Sequence, residues 1–342
     1  MKRPTIPDLA RAAGVSVSTV NRVLNDADRV RQPTRERVLQ AAQQIGFYGI
    51  GSIEHSVIGG RDTARIGILL QQGSRTFYRN LGDALRRAAT AYPDANVVLS
   101  LEYLDDLSPE NVAARLTSLG DTCESVALVA AEHPLISDAV DDLLREGVPV
   151  IGLIAPLSAR GNVGFVGLDY WKVGRTAAWT FDRMIKKPGK IGILVGNHRY
   201  RNQELNESGF RSYFREHAAD VSLLEPLATY ESAAVARELT EHLLTDHPDL
   251  AGLFVSGGGV TGAVAGLRAL PRRKDFVAVG YELFDTTRAA LIDGTLTLVI
   301  SHPLDTLARE TVATLIRAKK AGTEAGALQV SLGFEIYTPE NV

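Results

Sequence analysis

Seven residues near the start of the chain, Ser16, Val17, Ser18, Thr19, Asn21, Arg22 and Asn25, combine hydroxyls, carboxamides and a guanidinium with one small apolar side chain. At helical spacing Ser18, Asn21, Arg22 and Asn25 form one stripe, while Val20, Val23 and Leu24, three and four apart, form the opposite one. An Arg on such a stripe can fork onto a guanine edge or a phosphate. Ser and Asn can bond base edges or backbone, and Val17 can meet a thymine methyl. Short side chains let a helix backbone come close to a groove, whereas the Lys and Glu that usually solubilise a helix would hold it away. The competing reading is a small helical cap on an enzyme, with the polar stripe simply solvated.

Reading a groove requires a helix held at a fixed angle, and the flanking residues supply one. Thr5 and Asp8 stand three apart around Pro7, the pattern of a capped helix start, so the first helix is expected over residues 6–13. Gly14 supplies a turn, and Ser16 is a natural N-cap for a second helix reaching about Leu24. A third helix begins near Pro33 and Thr34, carries Val38, Leu39, Ala42 and Ile45 inward, and stops at Gly46. Two short helices joined by a Gly-containing turn and closed by a third make a helix-turn-helix candidate. Charge agrees with a polyanionic partner: residues 1–65 carry ten Lys and Arg against six Asp and Glu, whereas the remainder carries 27 against 34.

The remaining chain reads differently. Short β-branched runs are expected as strands at 65–71, 96–102, 125–130, 148–154, 162–168, 190–196, 221–225, 250–256, 276–281, 296–301 and 328–336. They alternate with amphipathic stretches such as 78–91, 134–145, 171–185, 233–245 and 304–320. This alternation marks an α/β fold, and so many strands favour two lobes of parallel βα units over one open sheet. The expected division is a headpiece at 1–48, a Gly-rich hinge or linker at 49–64, and a two-lobed core at 65–342. No run of eighteen apolar residues occurs and no apolar leader region opens the chain, so a cytoplasmic protein without a membrane partner is expected. The single cysteine, Cys123, cannot form an internal disulfide and reads as a buried hydrophobe. There is no H-E-x-x-H, no Walker loop and no G-x-S-x-G, and the seven His are scattered, so neither an enzyme, a metal nor a cofactor is expected.

Open α/β sheets bind ligands beyond the carboxyl ends of their strands. The residues that follow the expected strands include Phe77, Tyr78, His133, Asp169, Arg199, Arg201, Asn206, Ser256, Gly257, Glu282, Ser301 and His302. Aromatic faces mixed with carboxylates, amides and Arg suit a small polyhydroxylated ligand, a sugar, cyclitol or sugar acid. A rival pattern overlaps this set. Gly257, Gly259 and Gly262 satisfy G-x-G-x-x-G after a strand, with Glu282 twenty residues further on, the fingerprint of a dinucleotide site in a regulator or an NAD-dependent enzyme. Its position late in the chain speaks against it.

The stretch "TIPDLARAAGVSVSTVNRVLN" followed by "TRERVLQAAQQIGF" resembles the DNA-binding headpiece of the lactose-repressor (LacI/GalR) family of transcription regulators. "ARIGILL", "FVGLDYWKVGRTAA" and "GYELFDTTRAAL" resemble that family's periplasmic-binding-protein-like (type I) core, so the resemblance spans nearly the whole chain. It implies a homodimeric regulator, a repressor, bound to near-palindromic double-stranded operator DNA and controlled by a small effector. It places Val17, Ser18 and Arg22 at base-reading positions and Thr5, Ser16, Thr19 and Asn25 on phosphates or backbone. Two departures stand out. The family's Ala-Arg-x-Leu hinge helix is missing, with Ile58 at the place of its minor-groove Leu, and Asn206 stands where relatives commonly carry a ligand-binding Arg. The resemblance also implies a first lobe of about 66–163 with 296–320, and a second lobe of the remainder.

Overall fold

The computed structural model describes residues 3–26, 29–51, 53–54, 62–217, 221–269, 271 and 275–342. Two compact units divide the chain, the first taking in residues 1–65 with the short stretch 89–98, the second all else.

In the first unit α1 (Ile6–Ala13), α2 (Val17–Asn25) and α3 (Gln32–Ile45) surround a small core. Thr5 N–H donates to Asp8 Oδ2 at 2.9 Å and the Thr5 hydroxyl to the same oxygen at 2.6 Å, fixing the first turn of α1. Gly14 and Gly46 end α1 and α3 with φ of 63° and 66°, a left-handed conformation that a side chain would strain. Leu9, Ala13, Val20, Val23, Val38 and Ala42 pack together and are buried. Leu24, Leu39 and Ile45, expected inside, are partly buried against the same cluster. Phe47 and Ile53 are buried in it too, and residues 50, 51, 53 and 54 have helical backbone. The stretch expected as a Gly-rich hinge or linker therefore begins by completing the headpiece core. A single buried Ile among glycines has no periodicity to reveal it. Ile58 lies outside the described residues.

The second unit holds two sheets. The first runs in the order β12-β5-β4-β3-β1-β2 and the second in the order β13-β11-β10-β9-β6-β7, with β8 beside β6. In the first sheet β1 (Thr63–Gln71), β3 (Ser125–Leu128), β4 (Val150–Leu153), β5 (Gly164–Leu168) and β12 (Gln329–Leu332) pair in parallel, with β2 (Asn96–Leu104) outside β1. In the second, β6 (Gly189–Val195), β7 (Val221–Leu223), β8 (Leu227–Ala228), β9 (Leu250–Val255), β10 (Val277–Tyr281) and β11 (Leu298–Ser301) are parallel, and β13 (Glu335–Tyr337) closes the edge antiparallel to β11. The helices between them are α4 (Thr76–Thr90), α5 (Pro109–Gly120), α6 (Pro134–Arg145), α7 (Tyr170–Met184), α8 (Arg201–His217), α9 (Ala233–Asp246), α10 (Val260–Ala269), α11 (Asp285–Ile292) and α12 (Leu304–Ala321). Buried aliphatic side chains such as Leu116, Val126 and Leu143 fill the first lobe, and Leu253, Val264 and Leu291 the second.

The lobe boundaries differ from the expected ones. β5 belongs to the first sheet, because Gly152 and Leu153 pair with Phe165 and Val166. β11 belongs to the second, because Val279 pairs with Leu298. The chain thus crosses after residues 168, 301 and 332. The last crossing splits the run expected as one strand over 328–336, since Leu332 ends β12 in one sheet and Glu335 starts β13 in the other, with Gly333 between them. In both sheets the order reverses beside the earliest strand, at β1/β3 and β6/β9, where α/β sheets open a crevice at their carboxyl ends.

Candidate functional site

The first candidate is the exposed face of α2. Ser16 caps the helix: its Oγ accepts from Thr19 N–H at 3.2 Å and lies 2.8 Å from both the Ser18 and the Thr19 hydroxyls. That network fixes the side of the helix that begins the stripe. Ser18, Asn21, Arg22 and Asn25 are exposed, and Val17 keeps 42% of its surface in solvent. Asn25 donates to the Asn21 carbonyl at 3.1 Å, and the Thr5 hydroxyl is engaged by Asp8. Val20 and Val23 are fully buried, so the helix cannot rotate without uncovering them.

The second candidate lies inside the second unit, at the carboxyl ends of both sheets. A cavity of about 310 Å³ is walled by residues that follow β1, β6, β8, β9, β10 and β11. Its floor is Glu282, held at φ 65°, a left-handed backbone rare outside Gly that marks a functional or strained position. The Glu282 carboxylate accepts from Ser301 Oγ at 3.0 Å and from His302 N–H at 3.3 Å, and His302 Nδ1 lies 2.5 Å from its other oxygen. Tyr170 Oη sits 2.9 Å from His302 Nε2. With Tyr170 donating there, Nδ1 carries the imidazole hydrogen and donates a hydrogen bond to Glu282. Burial pushes the Tyr170 hydroxyl well above its ordinary pKa, which keeps it a donor. Phe77 packs on this group with its ring 5.7 Å from that of His302.

The opposite wall is an ion pair. Arg75, just past β1, places Nη1 2.6 Å from Glu231 Oε2 and Nη2 3.0 Å from the Glu231 carbonyl, bridging the two lobes. Gln203 Nε2 donates to Glu231 Oε1 at 2.8 Å, while Gln203 Oε1 accepts from the Gly196 and Asn197 N–H groups at 2.6 and 3.0 Å. A second link across the lobes runs from Gln71 Nε2 to Tyr200 Oη, with Tyr78 Oη donating to Gln71 Oε1 at 3.0 Å.

Of the expected ligand residues, Phe77, Tyr78, Ser256, Gly257, Glu282 and His302 line this cavity, and Ser301 braces Glu282 beneath it. The others lie elsewhere. His133 caps α6, its Nδ1 accepting from Leu135 N–H at 3.3 Å, and it shares a smaller cavity of about 190 Å³ with Arg199. Asp169 caps α7 by accepting from Lys172 N–H, and Arg201 donates to Ser158 Oγ at 2.9 Å. Asn206 is fully buried beside the Tyr281 hydroxyl and does not line the cavity. Arg75, Glu231 and Gln71 were not anticipated, and of these only Arg75 carried a signal, standing in the turn after β1; Tyr200 and Gln203 lie within the stretch 199–206 after β6 from which Arg199, Arg201 and Asn206 were expected.

The glycine cluster that suggested a dinucleotide has another cause. A Cβ on Gly258 would fall 1.6 Å from Glu231 Oε2 and one on Gly257 2.5 Å from Gln203 Oε1. One on Gly262 would fall 1.8 Å from the Ala233 carbonyl oxygen. The first two make room for side chains of the cavity wall and the third for packing of α10 on α9. With the Glu231 carboxylate packed against Gly258, these glycines have a cause in the cavity wall that calls for no pyrophosphate. Among the described residues no group of His, Cys, Asp and Glu could hold a metal, and no helix is long and apolar enough to cross a membrane.

Comparison with known proteins places both units. Residues 66–324 match the periplasmic binding protein domain, and residues 5–49 match the bacterial regulatory proteins of the lacI family. The chain is 25% identical over 315 residues to catabolite control protein A of Priestia megaterium, covering 88% of each chain. It is 25% identical over 290 residues to the ribose operon repressor of Bacillus subtilis, covering 81% of each. A solute binding protein of Actinobacillus succinogenes solved with D-allose superimposes with a TM-score of 0.72 at 16% identity, over 81% of this chain and 98% of that one. The likeness to that solved structure carries the two-lobed fold, and the sequence matches carry the pairing of fold with headpiece. The chain is a member of the lacI family of bacterial transcription regulators, a helix-turn-helix domain joined to a periplasmic-binding-protein-like core.

Proposed function

We propose that the protein is a cytoplasmic homodimeric repressor in which residues 1–48 read operator DNA, residues 49–64 form the hinge, and the cavity of residues 65–342 takes a small polyhydroxylated effector. Val17, Ser18, Asn21 and Arg22 enter the major groove, with Thr5, Ser16, Thr19 and Asn25 toward the backbone and Ile58 placed to wedge into the minor groove. One headpiece buries little surface and contacts few bases, so two copies on a near-palindromic site are needed for useful specificity. Effector bound between the lobes changes their closure, and with it the spacing of the headpieces and their fit to DNA. The sugars named with structural neighbours, D-allose and D-fucose, agree in class with a cavity of carboxylates and ring faces.

The observation that carries this reading is the stripe of exposed Val17, Ser18, Asn21 and Arg22 on a helix that buries Val20 and Val23 on its opposite face. Arg22→Ala tests it. Loss of one forked base contact should weaken specific operator binding by about 1–3 kcal/mol in fluorescence anisotropy and leave ligand-induced thermal shifts unchanged. If the wild-type chain showed no salt-sensitive affinity for DNA upstream of its own gene, the reading would be abandoned.

A further inference from the structure

The cavity carries its own anion. Glu231 sits on a loop after β8 in which Tyr230 and Glu231 both adopt left-handed backbone, with φ of 49° and 62°. Two successive non-Gly residues hold that conformation only where their surroundings dictate it. What dictates it here is the destination of the carboxylate. It is 11% exposed, paired with Arg75 at 2.6 Å and bonded by Gln203 at 2.8 Å. It rests against glycine backbone, for a Cβ on Gly196 would lie 1.8 Å from Oε1 and one on Gly258 1.6 Å from Oε2. A guanidinium, a carboxamide donor and two glycines that leave the backbone open form a receptor for a carboxylate, and the chain fills it itself.

Among the described charged groups lining the cavity, Arg75 is the one Arg or Lys and is neutralised by Glu231, leaving the Glu282 carboxylate in excess. Arg201 bonds Ser158, and Arg199 lines the smaller cavity. An entering anion would meet two carboxylates and a cation already spoken for. A hydroxyl can donate to either carboxylate and accept from the remaining donors of Arg75. We infer that Glu231 is a specificity-determining residue: its carboxylate takes the place of an acidic group on the effector, so the cavity accepts uncharged polyhydroxylated molecules and rejects sugar acids and sugar phosphates. The inference rests on the reading of this cavity as the effector site.

Two experiments on the full-length chain test it separately from that reading. In the first, Glu231→Ala opens the receptor while Arg75 stays, and acetate is the probe. Acetate should raise the melting temperature of Glu231→Ala above that in chloride of equal ionic strength. It should do so neither for the wild type nor for a variant that also carries Arg75→Ala. Equal acetate effects on all three would overturn the assignment. In the second, wild type and Glu231→Gln are compared on matched pairs, glucose with glucuronate and galactose with galacturonate. Where a neutral member binds the wild type, its acid should bind weaker by about tenfold or more, and Glu231→Gln should narrow the gap. An acid that matches its neutral partner on the wild type sinks the inference. If no member of any pair binds while the acetate rescue succeeds, the receptor stands and the effector reading of the cavity falls. A Glu231→Ala chain that folds in neither salt leaves the decision to the matched pairs.

Discussion

The face of α2 and the walls of the cavity draw on the same short menu of hydroxyl, carboxamide and guanidinium groups, and treat it in opposite ways. On α2, Ser18, Asn21 and Arg22 stand in solvent. In the cavity Gln203, Ser301 and His302 are buried and bonded, to Glu231 or to Glu282. Exposed groups stay hydrated until a partner arrives and cost the fold nothing. Buried ones must be satisfied during folding, because an orphaned donor or acceptor costs about 1–3 kcal/mol. The headpiece therefore depends on its small apolar core to aim its groups, and the cavity depends on its polar network.

The largest expected break follows from that dependence. Leu9 is fully buried at the centre of the headpiece core, and Leu9→Ala removes transfer energy and leaves a cavity, about 2–5 kcal/mol. A unit of this size has little stability to lose. Amide hydrogen exchange should show residues 5–49 losing protection while β3 and β9 keep theirs, and specific DNA binding should vanish. Retained DNA affinity would mean that the stripe does not rely on this core.

Alkaline pH should act in the other direction. Burial pushes the hydroxyls of Tyr170, Tyr200 and Tyr281 above the ordinary value of 10.0. A folded state that holds these protons more tightly than the unfolded chain is fully stabilised below that value, and loses the contribution as pH rises through it toward the raised folded values. The headpiece has a single tyrosine, Tyr48, which is 73% exposed. Tyrosinate absorbance followed with near-ultraviolet circular dichroism should therefore report cooperative loss of structure in the two-lobed unit above pH 10. Simple non-cooperative titration of all ten tyrosines would contradict the buried network.

These contrasts also explain what the sequence could show. The headpiece is local: caps at Thr5 and Ser16, Gly at both helix ends and apolar spacing within α2 and α3 are all set by near neighbours, and the expected helices match the observed ones closely. Glu282 and His302 were legible because each directly follows a short, fully buried strand. The Arg75–Glu231 pair was not. Its members lie 156 residues apart, and Glu231 follows a two-residue strand too short to carry a period. The glycines at 257–259 were visible, but their cause was the carboxylate they accommodate, a contact between distant segments. The lobe crossings after 168, 301 and 332 were misplaced for a similar reason, since strand partners decide them and a strand's own residues do not name its partner.

The smallest expected effect bears most closely on how the stripe is aimed. Ser16→Ala removes the acceptor for Thr19 N–H and the hydroxyl that ties Ser18 and Thr19 together. Loss of an N-cap costs about 1 kcal/mol of helix stability, small beside the loss at Leu9. Yet the Ser18 and Thr19 hydroxyls would then turn freely at the end of the helix that carries the proposed base-reading positions. Operator affinity should fall by more than the melting temperature of the headpiece implies. Ser16→Asp, which restores the cap and adds a negative charge beside the phosphates, should recover the melting temperature and leave DNA binding weak. If both variants lost affinity only in proportion to stability, the hydroxyl network would be a cap alone, and the aim of the stripe would rest on Val20 and Val23.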